Sequence, residues 1–323
     1  MRVGVVIPCY RQERWLPRTL AALERALSGR EWGGALVLAA PDGGSPPALA
    51  ATRWQVLRPA PARPLTPGAA RNLGFAACGG AAVLFVDADV EVQPPWLARA
   101  LAALEADPAL AGAWGRLEEW FEDGGGERPG ARDLYRVGDG DGDADYLATL
   151  ALYRREALEA VGGYEPRLSS EEDFELGLRL RRAGLRLRTL APLAGRHWSA
   201  PRPSFSEIGR RWASGLCFGQ GQVLRLYLGR PGFGAHLRRQ GLYVGTLLVA
   251  LAAIPAALAG PRALAAWALV PLAAFAAMTA RKRSARLALH ALLSWTANAA
   301  GMVVGFVRGP ASPAAAAQER SAA

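Results

Sequence analysis

Short unbroken apolar runs and segments of helical spacing take turns along the N-terminal part of the chain. "VGVVIP" (3–8) predicts a buried strand, and "PRTLAALERAL" (17–27), closed by Ser28-Gly29, predicts an amphipathic helix. "GALVLAA" (34–40) is a second strand running into the turn-rich "PDGGSPP", and "WQVLRP" (54–59) is a short third. A helix follows in "TPGAARNLGFAACGG" (66–80), with Pro67 near its start and Gly79-Gly80 past its end. "AAVLFVDAD" (81–89) is the next strand and "PPWLARALAALEAD" (94–107) the next helix. Further on, "YLATLALYRREALEAVGGY" (146–164) reads as strand then helix, ended by Gly162-Gly163. "EEDFELGLRLRRAG" (171–184) is a helix, and "LRLRTLAPLAGRHW" (185–198) a strand and loop. Strands that are unbroken rather than alternating argue a mostly parallel sheet with helices on both faces, an α/β, Rossmann-like class. Such sheets bind ligands at the carboxyl ends of their strands.

The C-terminal pattern is different. Three apolar runs, roughly 241–259, 263–280 and 287–307, each approach the ~20 residues that span a bilayer. "GPR" (260–262) is a tight connection that makes the first two a hairpin. The third carries His290, Ser294, Thr296 and Asn298, and either spans or lies partly in the interface. A buried helical bundle is the competing reading. The expected organisation is a globular domain (1–224), a basic juxtamembrane linker (225–240), two to three transmembrane helices (241–307) and a disordered tail (308–323).

Charge sharpens this division. The 323 residues carry a formal charge of +10, and arginines crowd beside the apolar runs, at 225–239 and in "RKRSAR" (281–286). Both basic segments fall on one side of the hairpin, which points to the cytoplasmic face of a plasma (inner) membrane and to anionic lipid. Aromatic residues interleaved with a basic groove are missing, which argues against a nucleic-acid partner. Cys9, Cys78 and Cys217 lie far apart without a CxxC, so neither a zinc site nor a disulfide framework is expected. A reducing cytoplasm suits such thiols. "MRVGVVIPCY" passes straight into a strand pattern rather than the apolar core of a signal peptide.

Candidate chemistry gathers at strand ends. Asp87 and Asp89 close the run "LFVDAD", where two carboxylates can converge on a hard divalent cation, Mg²⁺ or Mn²⁺. Such a cation would neutralise a diphosphate leaving group. The alternative is a cap for the helix that follows. Asp42, in "PDGGS", can accept hydrogen bonds from a base edge or ribose, or simply sit in an Asp-Gly-Gly turn. Glu171-Glu172-Asp173 heads a helix, either as charges favoured at its N-terminus or with a general base for an acceptor hydroxyl. His197 is a third metal ligand or a packed loop histidine. Residues 115–145, rich in glycine and acids, read as a solvated flexible loop; Asp139, Asp141 and Asp143 echo a calcium loop whose glycine and distal glutamate are out of register.

These segments, in this order, resemble the family 2 glycosyltransferases: "VVIPCYRQERWLPRTLAAL", "DGGS", "PGAARNLG", "LFVDADVEVQPPWL", "REALEAVGGYEP" and "EEDFELGLRLRRAG". The resemblance covers about residues 2–215. It implies the GT-A fold and an inverting, metal-dependent transferase, a hexosyltransferase above all, that takes sugar from a nucleoside-diphosphate sugar. By the same resemblance Pro8 and Tyr10 lie in the first nucleotide-binding loop, Asp42 contacts the base, and Arg71 lies near the nucleotide. Asp87 and Asp89 match the metal-binding pair, Asp173 the catalytic base with Glu172 beside it, and Gly162, Gly163 and Tyr164 the acceptor side. Two departures stand out. Pro41 replaces the first aspartate of the commoner second loop, and Ile208 stands where processive synthases carry glutamine ahead of "RRW" (210–212). The second departure favours transfer of a single sugar, with a lipid-linked or membrane-associated acceptor expected from the apolar hairpin. A membrane scaffold that retains the fold without turnover is the alternative. A nucleotidyltransferase would need a glycine-rich, lysine-bearing first loop, which "PCYRQERW" is not.

Overall fold

The computed structural model describes residues 1–40, 49, 53–59, 65–123, 126–199 and 205–310. The chain divides into two compact units. Of the described residues, 1–168 and 172–199 belong to the first, and 169–171 and 205–310 to the second.

The first unit is built on one mixed sheet. Its strands are β1 (Val3–Cys9), β2 (Trp32–Leu38), β3 (Trp54–Leu57), β4 (Ala82–Val86), β5 (Val90–Val92), β6 (Leu110–Asp123), β7 (Gly126–Pro129), β8 (Gly142–Asp143), β9 (Leu150–Arg154) and β10 (Arg186–Ser199). The main path runs β3-β2-β1-β4-β9-β6-β10-β5, with β7 on β6 and β8 on β10. From β3 to β4 the ladder is parallel, as the unbroken apolar runs predict. Beyond β4 the sheet is mixed: β9 runs antiparallel to β4 and β6, β10 is parallel to β6, and β5 is antiparallel to β10.

Helices α1 (Leu16–Ala26), α2 (Pro67–Ala77), α3 (Pro94–Ala106), α4 (Arg155–Val161) and α5 (Glu172–Arg182) cover it. Successive strand residues face opposite sides, so β1 and β4 feed two cores. Val5, Ile7, Leu84 and Val86 join Leu23 of α1 and Trp96, Leu97 and Leu101 of α3. Val6, Val83 and Phe85 join Leu158 of α4 and Leu176 and Leu180 of α5. Each such fully buried large side chain contributes about 1.5–3 kcal/mol. Helix α2 lies close against the sheet because Gly74 has no Cβ; one there would meet Val6 and, at 3.2 Å, the Val37 side chain.

The acid-rich stretch departs from its loop reading over 115–123, where β6 continues. Arg116, Glu118 and Trp120 are half-buried while Leu117 and Glu119 are buried, a strand's period of two that the charged residues obscure in the sequence. The calcium-like aspartates take protein partners. Asp139 pairs with Arg116 at 2.9 Å, Asp141 with Arg99 at 3.2 Å and the Ala191 N–H at 2.7 Å, and Asp143 lies in β8 opposite Arg188.

The second unit is helical: α6 (Phe205–Ala213), α7 (Gly219–Leu226), α8 (Phe233–Arg239), α9 (Gly241–Leu251), α10 (Ala253–Leu258), α11 (Pro261–Lys282) and α12 (Ala285–Arg308). Residues 205–224, expected with the globular domain, belong here, and the expected basic linker carries α8. Three helices, Gly241–Leu258, Pro261–Lys282 and Ala285–Arg308, are long and apolar enough to cross a membrane. The first two are linked by a hydrogen bond from Trp267 Nε1 to the Val249 carbonyl (2.8 Å). The third packs closely on α7 through small residues, with Gly301 against Cys217 and Gly305 against Phe218. Two of its polar positions, Thr296 and Asn298, are satisfied within the unit. Asn298 Oδ1 accepts from Gln220 at 3.2 Å and its Nδ2 donates to the Ser294 carbonyl at 2.8 Å, while Thr296 donates to the Leu292 carbonyl at 3.0 Å.

Candidate active site

The carboxyl end of β4 carries Asp87 and Asp89, and neither caps α3. The residue at that cap is Gln93, with no side-chain hydrogen bond to the helix. Because β9 is antiparallel to β4, its start lies beside β4's end, and the Asp87 N–H donates to the Thr149 carbonyl at 2.9 Å. Thr149 holds φ +63, a left-handed backbone rare for a β-branched residue. Its hydroxyl meets the Tyr135 hydroxyl at 2.5 Å. Burial pushes the Tyr135 phenol well above its usual pKa, so this contact is between neutral groups. Strain of this kind persists where surrounding contacts fix it, often beside a functional group.

Arg71 is the hub of the site. It lies on α2, whose first turn is set by Pro67 and by Thr66, whose hydroxyl accepts from the Ala69 N–H at 3.1 Å. Its Nη2 donates to Asp87 Oδ1 at 3.0 Å and its Nη1 to Glu172 Oε1 at 2.7 Å, with Asp173 Oδ1 at 3.7 Å. The guanidinium stands over the Tyr164 ring, 5.3 Å from its centroid. Burial alone would lower its pKa. Asp173, Asp87 and Glu172 outweigh that and hold it cationic. One cation thus joins a strand end to the head of α5, which are more than 80 positions apart in sequence.

At the head of α5 the two carboxylates differ. Glu172 is buried against Arg71, whereas Asp173 is 21% exposed. Asp173 is thus the more solvent-accessible of the two carboxylates. Glu175, one turn in, is buried in a two-pronged pair with Arg179, at 2.6 and 2.7 Å.

Asp89 has a different environment. It is buried, its Oδ2 accepts from Gln12 Nε2, and His197 Nε2 stands 3.6 Å from the same oxygen. His197 lies on β10, opposite Val90 of β5, and its Nδ1 contacts the Ser199 hydroxyl at 3.0 Å. Asp89 Oδ1 is buried with no hydrogen-bond partner. Burial, reinforced by nearby Asp87, pushes the Asp89 carboxyl up to about 6, against the lowering effects of His197 and Gln12. Among the described residues no three His, Cys, Asp or Glu side chains are grouped closely enough to hold a metal ion. Arg71 engages Asp87, and Gln12 engages Asp89. The donor chemistry nevertheless fits a hard divalent cation: two carboxylates and an imidazole, with one buried carboxylate oxygen still lacking a partner.

A stability consequence follows. The Asp89 pKa is raised in the folded chain, from 3.8 to about 6, so the native state binds more protons between those values. Stability is then undiminished below pH 3.8 and falls as pH rises through about 6. The rise from 3.8 to about 6 corresponds to about 3 kcal/mol at pH 8. Asp89→Asn is expected to unfold at higher temperature than wild type at pH 8 in EDTA, with the gain vanishing near pH 4. A lower midpoint for the variant at pH 8 would contradict this.

The remaining sequence candidates are distributed as follows. Pro8 is half-buried at the end of β1, opposite Val37. Tyr10 is exposed, with the Arg11 guanidinium 5.6 Å from its ring centroid. Asp42 lies outside the described residues. Gly162 is the left-handed C-cap of α4. Gly163, φ +72, abuts Asn72, where a Cβ would come within 2.7 Å of its Oδ1. Asn72 clamps the Tyr164 backbone, donating to its carbonyl at 2.8 Å and accepting from its N–H at 2.9 Å. Tyr164 is itself buried beneath Arg71, so this motif shapes the wall behind the hub. Gln12, Asn72, Tyr135 and Thr149 were not singled out from sequence. Of these, Asn72 had a signal, standing next to Arg71 in "AARN".

Comparison with known proteins bears on this arrangement. Residues 4–162 match the model of Glycosyl transferase family 2. The pre-mycofactocin glycosyltransferases of Mycobacterium tuberculosis strains CDC 1551 / Oshkosh and ATCC 25618 / H37Rv are each 37% identical over 134 residues, covering 38% of this chain and 28% of theirs. The chain therefore spans less than a third of the length of those curated relatives. Among solved structures, S. aureus TarS 1-349 is similar at 17% identity with a TM-score of 0.44, over 62% of this chain and 60% of that one. GalNAc-T7 with UDP, GalNAc and Mn²⁺ is similar at 17% identity and a TM-score of 0.45, over 62% and 44%.

Proposed function

We propose, from the match of residues 4–162 to the model of Glycosyl transferase family 2, that this protein moves one sugar, a hexose above all, from a nucleoside-diphosphate sugar to an acceptor hydroxyl, with inversion. The observation that carries this reading is the Arg71 hub, which ties Asp87 to the helix that presents Asp173. Asp173 takes the proton from the acceptor hydroxyl as its oxygen bonds to the anomeric carbon. The bond from that carbon to the diphosphate breaks on the opposite side, and the electron pair leaves with the nucleoside diphosphate. A single displacement of this kind inverts the anomeric centre. Asp87 and Asp89, with His197 beside Asp89, would hold Mg²⁺ or Mn²⁺, which supplies charge neutralisation to the leaving diphosphate. Pro8, Tyr10 and Asp42 would serve the nucleotide, and Gly162, Gly163 and Tyr164 the wall on the acceptor side.

The acceptor is proposed to be lipid-linked or membrane-associated, because the chain carries apolar helices beside its transfer domain. Arg238 and Arg239 before α9, and Arg281 and Lys282 in the last turn of α11 with Arg283 and Arg286 after it, fall on one side of that hairpin. Retention of such charges on the cytoplasmic side supports the reading of a cytoplasmic transfer domain on a multi-pass plasma-membrane protein. Ile208, on α6, supports single rather than repeated transfer.

The test is the stereochemistry and fact of turnover. Full-length chain in nanodiscs is given UDP-glucose, UDP-galactose, UDP-N-acetylglucosamine and GDP-mannose with Mn²⁺ and lipid or sugar acceptors, and products are followed by proton NMR. The expected product has the anomeric configuration opposite to its donor. Retained configuration, or nucleotide-sugar binding without turnover across all acceptors as a scaffold would give, overturns the reading.

A further inference from the structure

The three residues directly before Glu172 and Asp173 do not fold with the α/β unit. Ser169–Glu171 belongs to the helical unit, and the chain re-enters the first unit at Glu172. Specific side chains hold this tripeptide. The Ser169 N–H and hydroxyl lie 2.9 Å from Gln222 Oε1 on α7, and Ser170 donates its hydroxyl to the Leu216 carbonyl at 2.9 Å. Gly219, at the start of α7, leaves room for Ser170; a Cβ there would meet its hydroxyl, its carbonyl and its amide. Glu171 Oε2 accepts from Arg239 Nε at 2.7 Å and from Gln240 Nε2 at 3.0 Å. Glu171 also has φ +71, a left-handed backbone that a residue with a Cβ rarely adopts. Such a conformation survives where its surroundings over-determine it.

We infer that Glu171, Arg239 and Gln240 are positioning residues for Asp173: their contacts hold Glu171 in its left-handed backbone two residues before the carboxylate and so set the chain that enters α5. This rests on Asp173 being the base. An anchored entry matters because a small misplacement of a reacting group costs orders of magnitude in rate, whereas donor binding at Asp87 and Asp89 draws on other elements.

The test uses full-length chain in phosphatidylcholine–phosphatidylglycerol nanodiscs. In Glu171→Gly the left-handed backbone is relaxed and the tether is absent; Arg239→Gln removes the other partner, and Glu171→Arg combined with Arg239→Glu reverses the pair. Amides of residues 172–180 are expected to exchange with deuterium about tenfold faster in the two single variants, with those of β4 unchanged. With Mn²⁺ and whichever of the four nucleotide sugars turns over, kcat should fall by about tenfold to a hundredfold at unchanged donor KM. The reversed pair should restore both readouts, which loss of fold would not allow. Unchanged exchange in Glu171→Gly overturns the inference whether or not any donor turns over, as does unchanged kcat in that variant. Asp173→Asn in the same assay separates the two ideas. If it loses turnover while Glu171→Gly keeps it, the tether falls and the base stands. If it keeps turnover, the base assignment falls and the tether with it.

Discussion

Asp173→Asn should bind nucleotide sugar with wild-type affinity and transfer it about 10²–10⁴ times more slowly. The substitution keeps the shape of the side chain and removes its ability to accept a proton. Asp173 lies at the edge of the Arg71 hub, 3.7 Å from Nη1, and is partly exposed, so its neutralisation leaves the shorter contacts to Asp87 and Glu172 in place. The measurement is donor binding by calorimetry alongside single-turnover transfer. Loss of both together would mean that Asp173 supports the donor site rather than the acceptor. Normal transfer would remove it as the base. Glu172→Gln gives the contrast. Glu172 is buried against the guanidinium at 2.7 Å, so its loss should appear first as lower stability.

Arg71→Met should destabilise the α/β unit by about 3–5 kcal/mol, the usual cost of removing one partner from a buried ionic cluster. The guanidinium faces Asp87, Glu172 and Asp173, and a methionine of similar length leaves the carboxylates without that cation. Arg71→Lys should lie between the two, keeping charge and losing the fork that serves Asp87 and Glu172 at once. The readout is the thermal midpoint of the full chain in detergent, followed by tryptophan fluorescence. Adding Glu172→Gln to Arg71→Met should recover part of the loss, because fewer like charges remain. A midpoint for Arg71→Met equal to wild type would show that the hub does not hold the site together.

What could be read from sequence followed from how each element meets its neighbours. Strands β1, β2 and β4 are buried on both faces, so their unbroken apolar runs announce them, and Asp87 and Asp89 stand out as the first charges after β4. Helix α2 was equally plain from Thr66, Pro67 and the glycines beyond it. Strand β6 was hidden because its second half alternates charged with buried residues inside an acid-rich stretch. The antiparallel placement of β9 was hidden too, and with it the approach of Thr149 to Asp87. A left-handed Thr149 or Glu171 has no local signature, since tertiary contacts impose it against the residue's own preference. Arg71 was singled out only by the resemblance. Its ionic partners belong to two later chain segments, so its part in joining Asp87 to Glu172 and Asp173 required the fold.

A metal-assisted transfer site built on Asp89 is tested most directly by nucleoside-diphosphate release from full-length chain in nanodiscs. The four nucleotide sugars are supplied with Mn²⁺, then with EDTA, then with Mn²⁺ restored, for wild type and Asp89→Asn in parallel. Wild type is expected to release product, stop in EDTA and resume, while Asp89→Asn, though folded, releases none at any Mn²⁺ concentration. Release by Asp89→Asn at the wild-type rate, or wild-type release undiminished in EDTA, would contradict it.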